Sequence, residues 1–153
     1  MPTHYQGTIN EQAALDTYIK LMRAADSVTA RLNRLLADAD LTASQFGALE
    51  ALHHLGPLKQ GEIGAKILKS SGNITMVVDN LERRGLVRRE RESGDRRCVT
   101  VSLTDAGEAL IAGIFPRHAA SIVRELSVLT ESEQRELGRL CRRLGLQDAE
   151  PTS

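Results

Sequence analysis

Residues 70–107 carry the sequence SSGNITMVVDNLERRGLVRRERESGDRRCVTVSLTDAG, which decides the fold. The i, i+3, i+4, i+7 spacing of a helix with one buried face is met by Ile74, Val77, Val78 and Leu81. Gly85 is a stop signal for this helix, and residues 98–103 then alternate between polar and apolar side chains, as in a half-buried strand. Residues 92–97 form a turn with two arginines between two predicted strands. A helix with a polar outer face, followed by an arginine-tipped hairpin, is typical of a winged helix-turn-helix. That fold places the helix in a major groove of DNA and the hairpin in the adjacent minor groove.

Helical patterns surround this stretch on both sides. A short helix predicted from Lys59 to Leu68 precedes it, and the two helices with their connecting turn have helix-turn-helix spacing. Longer helical patterns begin at about residues 10, 43, 105 and 131, the second and fourth of them after capping boxes. Pro116 lies inside the third, where we expect a kink. The predicted fold class is therefore mainly α with a small β-wing, a winged helix-turn-helix with N- and C-terminal dimerisation helices.

The terminal helices carry more apolar surface than a small winged domain can cover. Packing against a second copy in a two-fold dimer would bury that surface, and folding back on the same chain is the alternative. The predicted organisation is a single domain over residues 1–153. The DNA-binding lobe spans about residues 38–103. The two dimerisation regions span about residues 10–37 and 104–146, and residues 147–153 form a tail.

The charges of the chain are unevenly distributed. There are 20 basic and 20 acidic residues in all, so the formal net charge is zero. From Lys59 to Arg97, however, ten basic and six acidic residues give a local charge of +4. A basic segment in a neutral protein favours a polyanionic partner at that segment, and the alternative is a solvated charged hairpin.

The composition and the motifs disfavour several classes of protein. Cys98 and Cys141 lack the spacing of a disulfide framework or of metal ligands. No signal-peptide pattern is evident and no apolar run reaches the ~18 residues that span a membrane, so we expect a cytoplasmic protein. Because no nucleophile–base pair, phosphate-binding loop or catalytic carboxylate pair is evident, we expect no enzyme, no cofactor and no metal.

Three motifs in their order resemble the MarR family of bacterial and archaeal transcriptional regulators. They are VDNLERRGLV at residues 78–87, DRR at residues 95–97 and LTDAG at residues 103–107. The resemblance extends from about Asp16 to Leu144. It implies a homodimer formed through the terminal helices, binding to a pseudo-palindromic operator in double-stranded DNA, and, in many members, release by a small aromatic or phenolic ligand.

The resemblance also implies which residues contact DNA. It places at the DNA-facing start of the second helix Ser71, Gly72, Asn73, Thr75 and Met76. Contacts to the phosphate backbone are expected from Lys59, Gln60, Arg83, Arg88, Arg89 and Arg96. Arg97 would enter the minor groove, with Asp95 holding it in place. Met76 stands where many relatives carry a polar or basic residue, which leaves two roles open, contact with a thymine methyl group or local packing.

A shorter resemblance, in the sequence IAGIFPRH at residues 111–118, is to family members that respond to quinone-type or phenolic compounds. The candidate ligand pocket consists of Tyr18, Met22, Phe46, Leu49, His53 and Phe115, each of which also suits an ordinary core. A zinc site is the alternative for this region, with the candidate ligands His53, His54, His118 and Glu50. The two adjacent histidines point in different directions, which disfavours that site.

The two cysteines have structural and chemical interpretations. Two arginines precede Cys98, so a role as a redox switch stands beside simple filling of the strand. Cys141 is expected to pack at the dimer interface.

The sequence therefore predicts a dimeric, sequence-specific DNA-binding regulator, a repressor released by a small aromatic ligand. Two other functions stay open. One is a winged-helix interaction module that binds an acidic protein surface without a specific DNA target. The other is a constitutive DNA-binding protein with no effector.

Overall fold

The computed structural model describes residues 2–67, 71–91, 94 and 98–147. Within these residues the chain forms helices α1 (Ile9–Asp38) and α2 (Ala43–Leu55), strand β1 (Leu58–Lys59), helices α3 (Gln60–Lys66) and α4 (Ser71–Arg83), strands β2 (Val87–Arg91) and β3 (Val99–Leu103), and helices α5 (Asp105–Leu126) and α6 (Glu131–Gly145).

Four of the described helices begin at a threonine whose hydroxyl caps the first turn, and in α1, α2 and α6 the cap is reciprocal. Thr8, Thr42 and Thr130 each accept a hydrogen bond from the backbone N–H three residues later, and the side chain at that position bonds back to the threonine N–H. These reciprocal bonds are capping boxes, which satisfy two backbone donors that a helix start leaves unpaired. The sequence predicts two of the three, at Thr42 and Thr130.

Helix α4 ends where the sequence places its stop signal. Gly85 has a φ of +72°, a left-handed conformation that glycine adopts without steric cost. Its N–H donates to the carbonyl of Glu82 at 2.9 Å, and the N–H of Leu86 donates to the carbonyl of Leu81 at 3.0 Å. This pair of bonds is a Schellman motif, and it turns the chain directly into β2.

The three strands form one antiparallel sheet in the order β1-β3-β2. The sequence predicts the β2–β3 hairpin, in which Arg89 pairs with Val101 and Arg91 with Val99. It does not predict β1, because two residues are too short for an alternating pattern to appear. Lys59 therefore lies in a strand, and α3 begins one residue later and ends earlier than predicted.

The core of the fold lies between the end of α1, α2, α3, α4, the sheet and the first half of α5. The most deeply buried large side chains are Leu49, Ile63, Ile74, Leu81, Ile111, Val78, Val87 and Val101. Three of the four residues on the predicted apolar face of α4 are at most 2% exposed, and the fourth, Val77, packs against the core. The predicted mainly helical fold with a small β-wing is thus confirmed.

The start of α5 is attached directly to the base of the wing. The Thr104 hydroxyl donates to the carbonyl of Gly85 at 2.6 Å and accepts from the N–H of Gly107 at 3.1 Å. A Cβ atom at Gly107 would collide with the backbone carbonyl of Leu86. The LTDAG sequence therefore allows a close approach between α5 and the chain that links α4 to β2.

The chain divides into two compact units, residues 1–118 and residues 119–153. Pro116 lies within the continuous helix α5, near the end of the first unit. In the second unit α6 has no buried residue, and its exposed apolar side chains are Leu137, Leu140 and Leu144. None of the helices in the described part of the chain has the length and apolarity needed to cross a bilayer.

Candidate nucleic-acid interface

Helix α4 buries one face and exposes the other along its length. The buried face carries the core residues described above. On the exposed side, the i, i+3, i+7, i+10 spacing that places side chains in one row is met by Asn73, Met76, Asn80 and Arg83. Met76 is 64% exposed, Asn73 and Arg83 are exposed, and Asn80 is half-buried. The row therefore lies on the side of the helix opposite its buried face.

A side-chain hydrogen bond links helix α3 to the first half of α4. Gln60, the first residue of α3, donates from Nε2 to the hydroxyl of Thr75 at 3.0 Å. The preceding backbone N–H, of Lys59, donates to the Glu62 carboxylate at 2.9 Å. Gln60 and Thr75 are both candidate DNA contacts, and the structure brings them together. The exposed ammonium-bearing side chain of Lys59 lies beside this pair in the chain.

Arg89 connects the wing to α4. From the middle of β2 its guanidinium reaches Asp79 (Nη2 to Oδ1, 2.6 Å), Glu82 (Nη1 to Oε1, 3.5 Å) and the carbonyl of Thr75 (Nη2, 3.4 Å). The backbone N–H of Arg89 also donates to the Glu82 carboxylate at 3.1 Å. Thr75, Asp79 and Glu82 are spaced i, i+4 and i+7 on α4. The Arg89 side chain therefore contacts more than one turn of the helix.

These contacts change the role expected for Arg89. A phosphate contact is predicted from the sequence, but the guanidinium is directed at two carboxylates and its side chain is only 22% exposed. Its neighbour Arg88 is exposed, because successive side chains in a strand point to opposite faces. Arg89 is thus a structural tie between the wing and the helix, while Arg88 remains placed for a phosphate contact.

Two more arginines at the end of α4 have defined contacts. Arg83 donates from Nη1 to Oδ1 of Asn80 at 3.0 Å, which orders two side chains of the exposed row. Arg84 donates to the backbone carbonyl of Asp40 at 2.7 Å, in the turn between α1 and α2. The first arginine therefore lies on the exposed row, and the second secures the end of the helix against the chain before α2.

Several predicted contacts lie outside what the structure describes. Asp95, Arg96 and Arg97, which are predicted at the tip of the wing, lie outside the described residues, and for Ser71 and Gly72 at the start of α4 only the helical backbone is described. Gly94, within the same turn, is described and has a φ of +108°, a conformation that favours glycine.

Three of the six candidate ligand-pocket residues lie in a chain of ring contacts. Phe46 lies 4.4 Å from His118 between ring centroids, and Phe115 lies 4.7 Å from His54. His54 in turn contacts His53 at 4.9 Å. Nδ1 of His53 is 2.7 Å from Oε1 of Glu108. His54 and His118 are not among the predicted pocket residues, because their place in this ring cluster depends on the packing of α2 against α5.

The other three candidate pocket residues have different surroundings. Leu49 is fully buried in the core, whereas Tyr18 and Met22 are 60% and 41% exposed on α1. Among the described residues, no group of three His, Cys, Asp or Glu side chains is arranged to hold a metal ion. His118 and His54 contact the rings of Phe46 and Phe115. Cys98 is half-buried and Cys141 is exposed.

The chain is similar to known proteins in both its sequence and its fold. The model of the MarR family matches residues 41–99. The transcriptional regulator MhqR of Bacillus subtilis is 38% identical over 135 residues, which cover 88% of this chain and 93% of MhqR. Sco3205, a MarR family regulator from Streptomyces coelicolor solved in complex with DNA, has a TM-score of 0.82 and 25% identity, covering 94% of this chain and 92% of Sco3205. BpsR of Bordetella bronchiseptica, whose DNA binding is regulated by 6-hydroxynicotinic acid, has a TM-score of 0.78 and 26% identity, covering 84% of this chain and 98% of BpsR.

Proposed function

This chain belongs to the MarR family of DNA-binding transcriptional regulators, and we propose that it is a dimeric repressor that a small aromatic ligand releases from its operator. One observation carries the proposal most strongly. Helix α4 is buried on its core face, bonded on its flanks to Gln60 and Arg89, and exposed along the row that begins at Asn73. A helix held in this way presents base-reading side chains in a fixed orientation, which limits the entropy lost on binding.

The proposed DNA contacts follow from this orientation. Asn73 and Met76 would face base edges in the major groove, whereas Lys59, Arg83 and Arg88 would bind phosphates. The wing residues Asp95, Arg96 and Arg97 belong to the proposal on the strength of the family resemblance. In a two-fold dimer, two copies of α4 would enter successive major grooves roughly 34–36 Å apart, which matches a pseudo-palindromic site.

The proposed dimer accounts for the apolar face of α6. Leu137, Leu140 and Leu144 are 43%, 46% and 54% exposed in the single chain. Their i, i+3, i+7 spacing places them on one stripe of the helix, the pattern by which helices pack against each other. A second copy would remove this stripe from water, and the exposed Cys141 lies beside Leu140 in the sequence.

The ring cluster of α2 and α5 supports the ligand part of the proposal. Phe46, His54, Phe115 and His118 place aromatic and imidazole rings in consecutive contact. Such rings can stack on a planar ligand and offer hydrogen-bonding nitrogens to a hydroxyl or carboxylate. BpsR is regulated by a ligand of this kind, a hydroxylated aromatic acid. Release of DNA requires that the ligand bind the DNA-free state more tightly.

Fluorescence anisotropy with duplex DNA from upstream of the protein's own gene tests the DNA-binding part. We expect tight binding that an unrelated duplex does not displace, with two chains per site. Because phosphate contacts release counterions, affinity should fall by roughly 10³-fold or more between about 50 and 200 mM salt. Binding that is weak and indifferent to sequence would contradict the proposal and favour the interaction-module alternative.

The ligand part has its own test on the same complex. Phenols, quinones and 6-hydroxynicotinic acid are titrated into the protein–DNA complex, and in parallel into free protein in a thermal-shift assay. A ligand that acts as proposed raises the melting temperature of the free protein and lowers the anisotropy of the complex. A Phe115→Leu variant, which keeps an apolar side chain but removes the ring, should weaken both responses. The absence of any response across these compounds would contradict an effector of this class.

A further inference from the structure

Met76 is an apolar side chain in the middle of an otherwise polar row. In the DNA-binding lobe at about residues 38–103, the large apolar side chains that the structure describes as exposed are Leu55 and Met76. Leu55 is the last residue of α2 and does not belong to the exposed row of α4. Met76 is 64% exposed and lies one helical turn from Asn73 and one from Asn80. The sequence leaves local packing open as the second role of Met76. A side chain exposed to this extent does not have that role.

The surroundings of Met76 define what it can contact. Thr75, on one side, bonds to Gln60, and the Asn80–Arg83 bond orders the side chains one and two turns further along α4. Polar partners are thus supplied by the neighbours of Met76, while Met76 itself offers a flexible thioether with no hydrogen-bond donor. Its preferred contact is an apolar, polarisable surface.

On the basis of the proposed function, we propose that Met76 is a specificity-determining residue that contacts the C5-methyl group of a thymine in each half of the operator. Among the four bases, thymine alone presents a methyl group in the major groove, so an apolar side chain there distinguishes thymine from the other bases. A thymine methyl pointing at α4 would lie against the exposed thioether and remove apolar surface of both groups from solvent. The operator should therefore carry a thymine at a symmetric position in both half-sites.

The expected size of the effect follows from the area of one methyl group. Removing a methyl-sized apolar surface from water changes an equilibrium constant by about fourfold. A two-fold dimer makes the contact twice, so loss of both methyl groups should weaken binding by about fifteenfold.

Replacing thymine by uracil in the operator removes the methyl groups and keeps the hydrogen-bonding edges. Two duplexes of the same upstream sequence, one synthesised with thymidine and one with deoxyuridine, are compared by anisotropy at a single salt concentration. We expect the wild-type protein to bind the deoxyuridine duplex about fifteenfold more weakly. The Met76→Ala protein should bind the thymidine duplex more weakly than the wild type and should bind both duplexes with nearly equal affinity.

Two variants separate this contact from a general loss of binding. Met76→Leu, which retains an apolar side chain of similar size, should keep most of the thymidine preference. Leu55→Ala removes the other exposed apolar side chain of the lobe and should leave the preference at the wild-type value. A wild-type protein that binds both duplexes equally, or a Met76→Ala protein that keeps the full preference, would overturn the inference while operator binding stands. Absence of sequence-selective binding to the thymidine duplex would overturn the proposed function and this inference together.

Discussion

Replacing Arg89 with Gln should loosen α4 from the wing without removing a contact to DNA. The contact from Nη2 to Oδ1 of Asp79 is short, at 2.6 Å, whereas those to Glu82 and the Thr75 carbonyl are 3.5 and 3.4 Å. One strong charge-assisted hydrogen bond contributes ~1.5–3 kcal/mol. Because Asp79 is 46% exposed, solvent screens the pair. We therefore expect the free energy of unfolding to fall by about 1–2 kcal/mol.

Urea denaturation measures this loss directly. All variants are compared at one protomer concentration, because the stability of a dimer depends on it. Asp79→Asn and the double variant complete a thermodynamic cycle, in which we expect a coupling energy of about 1 kcal/mol between Arg89 and Asp79. Arg88→Gln, on the other face of the same strand, is the control and should change stability by less than about 0.5 kcal/mol.

The salt dependence of DNA binding should change in the Arg88→Gln variant and stay the same in the Arg89→Gln variant, which is the reverse of their effects on stability. Arg88→Gln should reduce the slope of log affinity against log salt by about 1.8, because each phosphate contact contributes about 0.9 and a two-fold dimer makes the contact twice. Arg89→Gln should leave that slope unchanged, because its guanidinium is bonded to carboxylates of the protein. Unchanged stability together with a reduced slope for Arg89→Gln would refute the assignment of this residue as a structural tie.

Other residues give further predictions. Gly107→Ala should lower the melting temperature by several degrees or prevent folding, because its Cβ meets a backbone carbonyl, whereas Gly113→Ala in open space on the same helix should not. Arg97→Ala should weaken operator binding while circular dichroism and the melting temperature stay unchanged; unaltered affinity would exclude a role for Arg97 at the minor groove. Hydrogen bonds from Arg139 lower the pKa of the Glu136 carboxyl, so an NMR titration should place it below its ordinary value and Arg139→Gln should raise it. Any contribution of this exposed pair to stability is then complete above the ordinary carboxyl pKa and lost as the pH falls through the lowered value.

The parts of the fold that depend on local pattern could be predicted from the sequence. The apolar spacing of α4 identifies the buried Ile74, Val78 and Leu81, because a helix repeats its faces with a fixed period. Gly85 ends that helix in a conformation that other residues adopt at a steric cost. Thr42 and Thr130 cap helices through hydrogen bonds to residues only three positions further along the chain.

The features that depend on distant contacts could not be predicted in the same way. The sequence shows that Arg89 is basic, but its contacts with Asp79 and Glu82 require the strand to cross the helix at one particular place. The sequence does contain a basic residue in β2 and two acidic residues three positions apart in α4. These residues can be matched only once the register of the hairpin against α4 is known. The ring cluster of α2 and α5 likewise depends on the packing of helices separated by about fifty residues.

The central claim is that the exposed row of α4 enters the major groove of an operator. A DNA-cleaving iron chelate attached at position 73, through Asn73→Cys in a protein with Cys98→Ser and Cys141→Ser, tests it most directly. We expect cleavage at two symmetric places in the operator, about one helical turn apart. The same reagent attached through Leu55→Cys is the control and should give weak, unlocalised cleavage. Equal cleavage patterns from both positions, or none from position 73 on a bound operator, would contradict the claim.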